Sequence, residues 1–171
     1  MTAPGARLYD ATGRSVSERK ASKHTKIEGP FVAHLYEMLK SPAYRALSLT
    51  AHRILTRLEI EHGDHSAYLN GHLVCTYTDF QWHGARRNSI TMALRELEAL
   101  GFIEIVEHGR AGNREYRRPS IYRLTFLSAD ACKPTHEWRR IKTDAEAAEA
   151  IAKARKIGGD GSQKPPKRGG K

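Results

Sequence analysis

From Arg87 to Leu100 the apolar residues fall at Ile90, Ala93, Leu94, Leu97 and Leu100, the spacing of a helix with one buried face. Gly101 follows and is predicted to end it, since glycine adopts the left-handed conformation that a C-terminal cap requires. Just upstream, Thr76-Tyr77-Thr78-Asp79-Phe80 reads as the start of a shorter helix capped by Thr78 or Asp79. Phe80 and Trp82 are expected to face inward there, with Gly84 making the turn into the next helix. Downstream, Phe102 to Val106 and Ile121 to Phe126 are strand-like. Between them, Gly109-Arg110-Ala111-Gly112-Asn113-Arg114 has the composition of a hairpin tip. Pro119 lacks an amide donor, so the return strand is expected to begin after it. With His72 to Thr76 as a first short strand, the pattern predicts an α+β chain. Its centre is a winged helix-turn-helix, a three-helix core with a small antiparallel sheet.

The flanks are simpler. Pro30 is placed to open an extra N-terminal helix, with Phe31, Leu35, Met38 and Leu39 on one face and an end near Lys40. Ser41-Pro42 is expected to cap a short turn carrying Tyr44 and Leu47. Ser48 or Thr50 then starts a longer helix, with Ala51, Ile54, Leu55 and Leu58 inward and Gly63 stopping it. Asn70-Gly71 is a strong turn signal. After the hairpin, Trp138 is expected to anchor an extension. Thr143 and Glu146 have capping-box spacing and open an Ala-rich helix, Asp144 to Ile157. Its apolar stripe, mostly Ala148, Ile151 and Ala152, is thin, so fraying and packing on a partner both stay open. The reading divides the chain into a disordered basic arm (1–29), the DNA-binding domain (30–127), a helical extension (128–157) and a disordered basic tail (158–171).

Charge narrows the partner. The 171 residues carry 29 Lys+Arg against 19 Asp+Glu, a net +10. That balance favours a polyanion, and nucleic acid ahead of a membrane surface. No apolar run approaches the roughly 20 residues needed to span a bilayer, and no signal-peptide pattern opens the chain. The two cysteines, Cys75 and Cys132, form neither a disulfide framework nor a zinc-ribbon spacing, and a reducing cytoplasm is the expected location.

In a helix-turn-helix the first residues of the second helix meet base edges in the major groove, which nominates Arg86, Arg87, Asn88 and Thr91. Arginine pairs bidentately with guanine and asparagine with adenine, and a threonine methyl can touch that of thymine. Arg95, further along, is assigned to a phosphate. These side chains could equally be a plain solvated face. The hairpin, however, repeats the charge with Arg110, Arg114, Arg117 and Arg118. His62 and His65, with His72, His83 and Cys75 nearby, could suit Zn²⁺, but no acidic ligand set accompanies them, so no metal or other cofactor is expected. The chain has no phosphate loop, nucleophile elbow or HExxH helix. The one enzyme worth entertaining is a metal-dependent nuclease using His62, Asp64 and His65. No long heptad pattern is present, although a homodimer stays open.

Several segments resemble a winged-helix group found on proteobacterial chromosomes, plasmids and integrative elements. They are Pro30-Phe31-Val32, Ser41-Pro42-Ala43-Tyr44-Arg45-Ala46-Leu47-Ser48, and the run from Ala93 to Ile103, with Tyr122-Arg123-Leu124-Thr125 and Pro134-Thr135-His136-Glu137-Trp138. The resemblance covers about residues 30 to 142. It implies DNA binding in a bacterial cytoplasm. The expected function is therefore double-stranded DNA binding by a transcriptional regulator. The alternatives are a replication initiator or accessory protein of a mobile element, or a structural role with the C-terminal helix as the working surface.

Overall fold

Three serines and threonines in front of apolar runs set where the helices begin. Ser41 Oγ accepts from the Tyr44 amide (3.1 Å), Ser48 Oγ from the Ala51 amide (3.2 Å) and Thr76 Oγ1 from the Asp79 amide (3.3 Å). In the computed structural model, which describes residues 28–65, 69–110, 118–129 and 133–157, the result is α+β. The helices are α1 (Tyr36–Lys40), α2 (Pro42–Arg45), α3 (Leu49–Asp64), α4 (Tyr77–Trp82), α5 (Arg87–Ala99) and α6 (Asp144–Ile157), with a 3-10 turn at Glu137–Arg140. The strands are β1 (Leu73–Cys75), β2 (Ile103–Glu107) and β3 (Ser120–Leu124). No helix among the described residues is long and apolar enough to cross a membrane.

The sheet is antiparallel in the order β1-β3-β2. Leu73 pairs with Tyr122, and Ile103 with Leu124, while a register shift between Ile105 and Glu107 bends β2. Side chains from the sheet and from α3, α4 and α5 close one core, in which Phe80, Phe102, Tyr122, Leu97 and Trp138 are almost wholly buried. Asn70 ties the ends of the sheet region together. Its Nδ2 donates to the carbonyls of Leu124 (2.9 Å), Leu127 (2.9 Å) and Ser128 (3.2 Å), and its Oδ1 accepts from the Leu124 amide (2.7 Å). A side chain buried this deeply is kept by such satisfaction.

α5 ends in a Schellman motif. The Phe102 amide returns to Leu97 O (2.9 Å), and the Gly101 amide to Glu98 O (3.0 Å). Gly101 sits at φ +78°, and a Cβ there would meet Glu137 C at 2.6 Å and Trp138 N at 2.7 Å. The C-terminal extension is thus seated directly on the end of α5, with Trp138 as the buried anchor.

Four sequence expectations need correction. The first helix does not start at Pro30: it begins at Tyr36 and buries only Met38, leaving Leu35 and Leu39 exposed because no element among the described residues covers that face. α3 runs through Gly63 to Asp64. Trp82 is 90% exposed rather than inward, since a residue two places after buried Phe80 lies on the far side of α4. Finally, α6 packs on α5 through Ala147, Ala150, Ile151 and Ala154, whereas Ala148 and Ala152 face out. The two expected arms, apart from residues 28 and 29, lie outside the described residues.

Candidate functional site

The connection between α4 and α5 is braced from three sides. Thr76, rather than Thr78 or Asp79, caps α4: its amide and hydroxyl each donate to Asp79 Oδ2 (2.7 Å), completing a capping box. The Thr76 amide holds the Asp79 carboxyl below its ordinary range, against the opposing effect of burial and with help from the Thr76 hydroxyl and Arg57. Gly84 makes the turn at φ +86°, where its carbonyl accepts from Arg53 Nη1 of α3 (2.7 Å). The Ala85 amide bonds back to Phe80 O (2.9 Å), and Ala85 is buried. α5 therefore leaves the turn in a fixed direction.

Its first turn is built unlike those of α2, α3 and α4. Arg86 occupies the cap position in extended conformation (φ −73°, ψ 131°) and offers no side-chain cap, and the first turn holds no acidic residue. Arg86, Arg87, Asn88 and Thr91 are all exposed. The Thr91 hydroxyl is engaged by Tyr77 Oη at 3.0 Å, which leaves its methyl as the free part. Unsatisfied amides, the positive end of the helix dipole and two guanidinium groups thus share one surface, a combination suited to an anion.

The base of the β2–β3 hairpin adds to it. Arg110 and Arg118 lie opposite each other in an antiparallel bridge, exchanging backbone hydrogen bonds of 3.0 and 3.3 Å. Directly paired residues project to the same face, so two like charges are set side by side, an arrangement that costs stability by itself. Gly109 permits the close approach: a Cβ there would meet Arg118 O at 2.8 Å. Arg87, Arg110 and Arg118 line a common groove of about 620 Å³ together with Thr76 and Thr78 at the start of α4. The tip of the hairpin, residues 111–117 with Arg114 and Arg117, lies outside the described residues.

The described arginines differ in their partners. Arg45, Arg57, Arg123 and Arg139 are paired with Asp144, Glu61, Glu104 and Glu37 at 2.6–2.9 Å, and Arg53 holds Gly84. Arg86, Arg87, Arg110 and Arg118 make no side-chain hydrogen bond or ion pair with any described residue. Comparison with protein-family models, with curated proteins and with solved structures gives no match to this chain. Its own geometry carries the reading.

Arg95 is placed apart from the other nominated arginines. Arg95 is half-buried and does not join Arg87: it lines a different groove, between α5, α6 and the sheet, because α6 docks beside it. The histidines do not assemble. Among the described residues no three His, Cys, Asp or Glu side chains come together to hold a metal ion, and His65 Nε2 lies 3.0 Å from Glu61. Cys75 is buried, and burial pushes its thiol up to about 12, so it is neither a ready thiolate nor a nucleophile. Sequence reading missed Arg53 and Tyr77. Nothing local marks Arg53, whose partner is 31 residues away, whereas Thr76 could have been found from its three-residue spacing to Asp79.

Proposed function

We propose that the chain binds double-stranded DNA as a winged helix-turn-helix protein, acting as a transcriptional regulator in a bacterial cytoplasm. In this reading α4 and α5 are the helix-turn-helix and the β2–β3 hairpin is the wing. The start of α5 enters the major groove, with Arg86, Arg87 and Asn88 reaching base edges and the Thr91 methyl available to thymine. Arg110 and Arg118 meet the backbone beside it. The observation that supports the reading is the arginine set without acidic partners among the described residues around the uncapped start of α5, whereas Arg45, Arg57, Arg123 and Arg139 are each paired with an acid. Strand order β1-β3-β2, with the hairpin following α5 directly, agrees with it.

The test is affinity for a duplex selected from a random pool and for its scrambled version, at several salt concentrations. Arg87→Ala and Asn88→Ala should each cost about 1–3 kcal/mol on the selected duplex and much less on the scrambled one. Arg110→Ala and Arg118→Ala should weaken both alike and each reduce the salt slope by about 1. Equal losses on both duplexes for the α5 variants would remove α5 from the role of reader.

A further inference from the structure

The groove that takes Arg95 has a different chemistry from the one shared by Arg87, Arg110 and Arg118. It measures about 700 Å³, within the roughly 300–1,000 Å³ typical of small-molecule sites. Its walls are mainly apolar: Leu94 and Ala99 of α5, Ile105 and the Tyr122 ring of the sheet, and Ala150 and Ala154 of α6. Two cations, Arg95 and Lys153, stand on this lining against one acid, Glu98. Neither cation makes an ion pair or side-chain hydrogen bond with a described residue. The contrast between Arg95 and the likewise half-buried Arg57 and Arg123, each held by a glutamate, is direct. Tyr122 adds a second signal. The residue has no exposed surface, and no described group lies in good hydrogen-bond geometry to its hydroxyl. Burial pushes its ionisation up to about 12, with Ser120 opposing, so the hydroxyl is a neutral donor.

We propose that this groove binds a small amphipathic organic anion, an aromatic or alicyclic body bearing one carboxylate. The body packs on Leu94, Ala99, Ile105 and Ala150, and the carboxylate takes Arg95 and Lys153. Charge complementarity selects an anion over a neutral or cationic ligand of the same shape. The apolar walls select an organic body over a free phosphate, which would leave them wet. The inference goes beyond the nucleic-acid reading and does not depend on it, because binding is measured on the free protein.

The experiment titrates the isotope-labelled full chain with 1-naphthaleneacetate and with its neutral isostere 1-naphthaleneacetamide, following amide chemical shifts. The acetate should give saturable shifts centred on α5, α6 and β2, with affinity about tenfold above that of the amide, as one charge-assisted contact supplies. Arg95→Gln and Lys153→Gln should each erase that advantage and leave amide binding unchanged. Ala150→Phe, which fills the groove, should abolish both. If that variant unfolds, the two Gln variants still read out the carboxylate site. Equal affinity for the two probes, no saturable shift at millimolar concentration, or shifts centred on the exposed Leu35 and Tyr36 of the N-terminal region would each overturn the proposal. So would a finding that Arg95→Gln weakens duplex binding as much as Arg87→Ala, which would return Arg95 to the DNA surface.

Discussion

The two ends of α5 are finished in opposite ways. At its C-terminus the backbone is closed by the Schellman hydrogen bonds, by Gly101 at φ +78°, and by Thr125 Oγ1 donating to Gly101 O at 2.6 Å. At its N-terminus the Ser89 amide returns to Arg86 O (2.8 Å), but Arg86 gives no side-chain cap and no acid occupies the first turn. Charge follows neither end of the dipole, since Arg87 stands at the positive end while Glu96 and Glu98 stand near the negative one. Glu96 is compensated, because it is buried and accepts the Ser48 amide at the start of α3. Arg86 and Arg87 are not compensated by any described residue. A misplaced charge at a helix end costs about 0.3–1 kcal/mol. Under the proposed function that cost is offset only when a phosphate-bearing partner arrives. In that reading one end of the helix is completed by the protein and the other by its ligand.

The sharpest way to break the comparison is at the closed end. Gly101→Ala must force a side chain into left-handed backbone and drive its Cβ against Glu137 and Trp138, so stability should fall by about 2–4 kcal/mol in chemical denaturation. A loss well under 1 kcal/mol would mean that this end is not the fixed point described. At the open end the sign should reverse. Arg86→Ser installs the missing cap and removes a repelled charge, gaining about 1 kcal/mol, or about 3–5 °C in Tm. The same change should weaken duplex binding. A variant that is both less stable and fully competent in binding would contradict both halves of the argument.

The smallest effect concerns a contact behind the closed end. His34 Nε2 lies 2.6 Å from buried Glu59, and its ring meets Tyr44 and Phe126, with Tyr44 in turn meeting Phe102 just past Gly101. The hydrogen bond to Glu59 raises the His34 pKa above its ordinary 6.5, with burial opposing and the Glu59 charge assisting. A raised folded value means that the stabilisation is complete below the unfolded value and is lost as pH rises through the folded one. The stability difference between wild type and His34→Gln should therefore be greatest below the ordinary histidine value of 6.5 and shrink as pH rises above it. His52, whose value burial lowers, contributes with the opposite sign but is common to both proteins and cancels. A difference that grows with pH would reverse the assignment.

How much of this was legible in the sequence depended on whether a local pattern met a core. The stripe Ile90, Ala93, Leu94, Leu97 is buried as its spacing requires, because period and packing agree there. The apolar spacing around Leu35 and Leu39 was as regular, but no described residue buries it. In α6 alanines fall on both sides of Ile151, so the sequence offered little contrast by which to choose Ala147 and Ala154 over Ala148 and Ala152. Of the site, the exposure of Arg87 and Asn88 followed from the helical period alone. The place of Arg95 did not, because α6, some fifty residues on, decides which groove it lines. Asn70 was equally hidden, since it reads as a turn residue and works as a clamp on backbone 54 residues away.

The strand order also sets a sequence of events. β2 and β3 are joined by a hairpin and can find each other locally, whereas β1 pairs with β3 across all of α4, α5 and the hairpin. Seating Leu73 opposite Tyr122 closes a loop roughly three times longer than seating Ile105 there, about 1 kcal/mol more of chain entropy. A nascent chain therefore carries β1 unpaired until β3 has been made. In refolding, the amides of Leu73 to Cys75 should gain protection from hydrogen exchange after those of the hairpin, and the pairing of the first strand with the last becomes the step that commits the sheet.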